Sequence, residues 1–113
     1  MKVVYNYSYK KMKNLCERLS IENKFKELMQ VINHLEDENK HPLDMVLTED
    51  FYPIITEYNG KSESTVEKEY RKMIKSLYKE NHDEVQYALN ITGKVTLKKF
   101  LQFLFILALR KKM

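Results

Sequence analysis

Between Ser64 and Lys79 the chain places Ser64, Lys68, Arg71, Lys72, Lys75 and Lys79 three or four residues apart, the interval that brings side chains onto one side of an α-helix. Hydroxyl, ammonium and guanidinium groups arrayed in this way can donate to phosphate oxygens, and an Arg can also reach two acceptors on a guanine edge. Val66, Tyr70, Met73, Ile74 and Leu77 fall on the opposite side. One stripe can therefore hold the helix to a core while the other meets a major groove. Taken alone, such a stripe is more often a solvated surface; the capped short helix and four-residue turn before it shift the reading toward DNA binding. Glu67 and Glu69 interrupt the stripe. Glu67 has two readings, as the partner of Ser64 in a capping box, Ser64-Thr65-Val66-Glu67, and as an acceptor for a cytosine amino group.

No other constellation supports comparable chemistry. His34, His41 and His82 are scattered, with no metal-ligand spacing among them, so no metal is expected. Glu36, Asp37 and Glu38 are adjacent in sequence, but neighbouring helical positions point apart, which suits a solvated helix end better than an acid/base pair. Cys16 is the only cysteine and has no base near it in sequence; it reads as a small buried hydrophobe in a reducing compartment. Gly60 and Gly93 stand alone, so a Gly-rich phosphate loop is excluded. No catalytic residue and no cofactor is expected.

Elements must position the basic stripe, and the composition points to helices. The chain has 113 residues, 43% hydrophobic, with two Gly, two Pro and abundant Lys, Glu, Leu and Met, too little punctuation for a many-stranded sheet. Periodicity predicts helices over 11–19, 22–38, 48–58, 64 to about 81, 82–89 and 97–111, with a short one from Pro42 to Val46. Ser20, Thr48 and Thr96 are the expected caps. Asn59-Gly60-Lys61-Ser62 joins two helices by a tight turn, a helix-turn-helix candidate. The expectation is one all-α domain, a compact bundle of about six helices containing a helix-turn-helix over 11–113, preceded by an arm, 1–10. That arm (Val3, Tyr5, Tyr7, Tyr9) could be a short strand, a packed lead-in or disordered.

The net charge of +4 conceals its distribution. Residues 1–20 carry five Lys/Arg against one acid, 21–60 three against nine, 61–93 six against six, and 94–113 six against none. No targeting signal is visible, so the cytoplasm is expected. The last helix is unusual, for only Gln102 is polar between Phe100 and Leu109. It is too short, and too closely flanked by Lys98, Lys99 and Arg110, for a membrane span. One side must be core; the other is either covered by the arm or exposed to a partner or a second copy through Phe103, Phe105, Ile106 and Leu107.

Leu47-Thr48, Phe51-Tyr52-Pro53, Ser64-Thr65-Val66-Glu67, Arg71 and Ile74 together resemble the helix-turn-helix region of the stage-zero sporulation response regulators of endospore-forming bacteria. Gly93-Lys94-Val95-Thr96 with Phe100 resembles that family's lead into its final helix, and Leu19-Ser20-Ile21 with Phe25-Lys26-Glu27-Leu28 its opening helices. The resemblance implies a six-helix effector domain that binds short double-stranded DNA boxes through helix 64–80, as a homodimer or tandem copies, in bacterial transcription regulation, with the transcription machinery as a further partner. It places Ser64, Glu67, Lys68, Arg71 and Lys72 toward DNA, and Thr65 and Lys75 on the same helix are the further DNA-binding candidates. Arg71 and Lys68 would approach bases, Lys72 and Lys75 would hold phosphates, and the Ser64 hydroxyl would contact phosphate. Lys stands at 68 and 72 where the family has Arg and His, and a point charge replaces a bidentate fork at 68. About ten residues precede the first helix, so an effector domain without its receiver domain is expected. The alternative function is a helical protein-interaction module using the apolar last helix.

Overall fold

In the computed structural model, which describes residues 3–80, 82–89 and 95–110, six α-helices follow one another: α1 (Tyr9–Arg18), α2 (Phe25–Asp37), α3 (Tyr52–Asn59), α4 (Glu63–Glu80), α5 (His82–Leu89) and α6 (Leu97–Ala108). Short helical turns at Glu22–Lys24, Pro42–Asp44 and Leu47–Phe51 lie between them. The expected end of α4 at Asn81 and the Gly93-Lys94 turn lie outside the described residues. The chain is an all-α bundle, as its composition and periodicity predict. Its Cα radius of gyration, 13.6 Å, is close to the roughly 13 Å of a compact domain of this length.

The two long helices α2 and α4 bury the stripes their spacing predicts, whereas Tyr58, spaced for the inner face of α3, is exposed. Leu28, Val31, Ile32 and Leu35 of α2 are buried, as are Val66, Tyr70, Ile74 and Leu77 of α4. At the centre Phe51 packs edge-on against Tyr70, ring centroids 5.0 Å apart, a favoured aromatic geometry. α6 runs through this core with Phe100, Leu101, Leu104, Phe105 and Ala108 fully buried. Met12 and Cys16 of α1 are also enclosed. Burial, assisted by the charges of Glu22 and Glu17, pushes the Cys16 thiol up to about 12, which keeps it a protonated, unreactive hydrophobe.

The connections differ from the caps expected. Ser20 does not cap the following turn; its backbone is left-handed, φ 60°. The Ile21 and Ser20 amides close back onto the Cys16 and Glu17 carbonyls, so Ser20 ends α1 in a Schellman motif, a position usually given to Gly or Asn. Asn39, φ 51°, ends α2 identically, with Lys40 and Asn39 amides on the Leu35 and Glu36 carbonyls. Thr48 is not a cap either. The turn 47–51 has five-residue hydrogen-bond spacing and no side-chain cap, and Asp50 does the work from inside. Its carboxylate, 2% exposed, accepts the Val46 amide at 2.8 Å, Nε2 of His34 at 2.8 Å and Nζ of Lys40 at 3.0 Å on both oxygens. Thr96 does cap α6, accepting the Lys99 amide at 3.1 Å.

The arm is a packed lead-in. Asn39 clamps it, accepting the Tyr5 amide and donating to the Val3 carbonyl, both at 2.8 Å. The Tyr7 amide donates to Glu36 and its hydroxyl to the Lys40 carbonyl. On the other side Ser8 donates to the Ala108 carbonyl and Arg110 to that of Asn6, setting Tyr7 opposite Leu109 in one antiparallel bridge. The arm therefore covers only the end of α6. Of the residues expected to face a partner, Phe105 is core and unavailable; Phe103 and Ile106 are half-buried and Leu107 is exposed.

Burial pushes the Asp50 carboxyl up, but the Val46, His34 and Lys40 hydrogen bonds outweigh it and hold the carboxyl below its ordinary 3.8. Its contribution to stability is complete above that pH and fades as the pH falls through the folded-state value. Asp50→Ala should cost about 3 kcal/mol in urea unfolding at neutral pH, because it strands the Val46 amide, the His34 imidazole and the Lys40 ammonium. Asp50→Asn should flatten the loss of stability as the pH falls below 3.8 relative to wild type, the range in which the depressed carboxylate takes up its proton.

Candidate nucleic-acid interface

The turn between α3 and α4 is three residues long, Gly60 to Ser62. Gly60 has φ 77° and returns its amide to the Thr56 carbonyl at 2.8 Å, a left-handed stop that a side chain would strain. Asn59 Oδ1 accepts the Lys61 amide. Ser62 then opens α4: its Oγ accepts the Thr65 amide at 3.2 Å and donates to the Thr65 hydroxyl at 2.9 Å. The cap is thus two residues earlier than the box at Ser64 predicts, and Glu67 is no capping partner. It accepts Nε of Arg71 at 3.0 Å, one turn on.

Two groups outside the helix pair, Glu27 and Lys24, fix its seat. Glu27 of α2 accepts Nδ2 of Asn59 at 3.0 Å and the Tyr70 hydroxyl at 2.8 Å, tying α3 and α4 to one carboxylate. Burial and the Glu27 charge push the Tyr70 phenol far up, so it stays a hydrogen-bond donor. Lys24 sits 5.0 Å from the Tyr70 ring centroid and 3.5 Å from Glu69, a cation–π contact supported by an ion pair. Glu69 also takes Lys61 at 2.7 Å. It is therefore turned toward α2 and the turn, away from the basic stripe it interrupts in sequence.

Between Ser64 and Lys79 the charged residues fully exposed on α4 are cations, with Glu63 and Glu80 exposed at its two ends. Ser64, Thr65, Lys68, Arg71, Lys72 and Lys75 are exposed and Glu67 is half-buried, so the structure brings all seven predicted side chains to the accessible side of a single helix. Thr65 is the partial exception, since its hydroxyl is occupied by the cap. Among the described residues Lys68, Lys72 and Lys75 take part in no ion pair. Glu67 holds Arg71 through Nε alone, leaving the two terminal nitrogens of the guanidinium fork to donate elsewhere. Buried Tyr52 at the start of α3 faces Glu67, and burial with that charge raises its phenol. From Ser64 to Lys75 the face is about 17 Å long at helical rise.

Lys24, Glu27 and Asn59, which seat the helix pair, were not among the predicted site residues. Their one sequence signal is weak: Glu27 lies one turn before the buried Val31 on α2, where a carboxylate is out of place unless paired. Among the described residues no cluster of His, Cys, Asp and Glu could hold a metal ion, and no helix is long and apolar enough to cross a membrane. No protein-family model, curated protein or solved structure matches the chain.

The placement of the cap yields a direct check. Ser62→Ala should lower stability by about 1 kcal/mol in chemical denaturation, whereas Ser64→Ala should stay within about 0.5 kcal/mol of wild type. The opposite ranking would restore the capping box at Ser64.

Proposed function

We propose that the protein is a sequence-specific double-stranded DNA-binding domain that acts in bacterial transcription regulation in the cytoplasm, by binding rather than catalysis. It is related on this proposal to the effector domains of the sporulation response regulators. One observation carries it: a stretch of α4 whose inner stripe is locked to the core presents Lys68, Lys72 and Lys75 with no ion pair among the described residues, around an Arg71 fork held in place by Glu67.

In this reading α3 and the Gly60 turn set α4 against the duplex, and the first turns of α4 enter the major groove. Arg71 donates bidentately to guanine O6 and N7, a contact worth about 1–3 kcal/mol of discrimination. Glu67 positions the fork rather than reading cytosine itself. Lys68 approaches bases at the same edge as a point charge. Lys72 and Lys75 neutralise phosphates, and Ser64 donates its hydroxyl to another near the helix start.

Titration of the protein on duplex DNA over a range of salt concentrations tests this. With two phosphates neutralised, by Lys72 and Lys75, log K should fall with log salt at a slope of about −2. Lys75→Ala should reduce that slope by about one for every sequence, whereas Arg71→Ala should cost about 1–3 kcal/mol and relax specificity at one base pair. Duplex binding that is absent, or indifferent to salt, would refute the proposal.

A further inference from the structure

The outer face of α6 is a second surface, separate from α4. Phe103, Ile106 and Leu107 lie along it at helical spacing, half-buried or exposed. Beside them Gln102 donates to the Leu43 carbonyl at 3.4 Å, and the Leu43 side chain is 59% exposed. At the far end a groove of about 240 Å³ is lined by Val3, Val4, Tyr5, His41, Leu109 and Arg110. The apolar strip thus runs from the 42–46 segment along α6 into a concavity, a shape that receives a side chain better than a flat bilayer does.

Charge selects the occupant. Lys98 and Lys99 border the strip at the start of α6 and Arg110 at its end, with no Asp or Glu on the helix; the nearest acid in the flanking turn is Asp44. A second copy would suit this face poorly. Whether two α6 helices met parallel or antiparallel, lysines would face lysines or Arg110, and like charges across an interface oppose association. An apolar centre with cations at both ends complements a segment with apolar side chains on one face and carboxylates at its flanks.

We propose that this α6 face docks an acidic amphipathic segment of another protein. The inference is independent of duplex binding by α4. The test uses fluorescence anisotropy with a labelled helical peptide bearing Leu at i, i+3, i+4 and i+7 and Glu elsewhere, beside a scrambled version and one with Lys for Glu. The full chain should bind the acidic peptide and neither control. Leu107→Glu and Leu43→Ser, both at exposed positions and checked for unchanged circular dichroism, should each weaken binding about ten-fold. Arg71→Ala with Lys75→Ala should leave it unchanged, which separates this surface from the basic face of α4. Equal binding of the scrambled peptide, or loss of binding in the α4 variants but not in Leu107→Glu, would overturn the proposal. So would absence of peptide binding combined with Leu107-dependent binding to phosphatidylglycerol vesicles, or with Leu107-dependent self-association in light scattering.

Discussion

A carboxylate taken out of water must be met by donors, and Asp50 is the one charged residue buried among those described. Its donors come from three places: His34 inside α2, Lys40 just past the α2 stop, and the backbone amide of Val46. Satisfying all of them draws the 39–47 connection onto α2 and leaves the chain one way to enter α3. It enters through the wide turn at 47–51, which places Phe51 in the core against Tyr70. Glu27, about two turns before His34 along α2, repeats the device by gathering Asn59 and Tyr70. Two carboxylates on or against α2 thus determine where α3 ends, where α4 begins and which side of α4 is left for solvent.

Periodicity made most of the helices legible, because an apolar stripe is a property of spacing alone. α4 illustrates this: Val66, Tyr70, Ile74 and Leu77 are buried as spaced, and Ser64, Lys68, Arg71, Lys72 and Lys75 are outside. Local polar chemistry was less legible. Ser62, Ser64 and Thr65 are all credible caps, and the choice among them depends on where Gly60 turns the chain. Ser20 looks like a cap and is instead a left-handed stop, because the Ile21 amide is needed by the Cys16 carbonyl. Asp50 sits where first-turn acids usually face solvent, and only the approach of His34 and Lys40, 16 and 10 residues away, explains its burial. In α6 the excess of apolar residues was visible, but not that Phe105 would be enclosed while Leu107 remained out.

Net charge is a poor guide to this molecule's electrostatics. Lys24, Lys40 and Lys61 are committed to Glu27, Asp50 and Glu69, and Arg18 to Glu84. These pairs join elements of the bundle and remove cations from any external role. On α4, Glu69 is turned inward by Lys24 and Lys61, and Glu67 is occupied by Arg71. A segment that is neutral by count therefore presents a positive face, and field rather than sum steers an anionic ligand. The last helix shows the same separation, with cations at both ends of an apolar strip. On the account proposed above, one protein carries two outward faces of different chemistry on α4 and α6, both anchored in one core.

The central claim is that the accessible face of α4 meets double-stranded DNA. Amide chemical-shift mapping with a short duplex addresses it most directly, because it locates contact without altering any residue. The account predicts perturbations concentrated on Ser64 through Lys75 and the Gly60–Ser62 turn, with the outer face of α6 unchanged. Perturbations centred on Phe103 to Leu107, or spread evenly over every lysine-bearing surface, would contradict it.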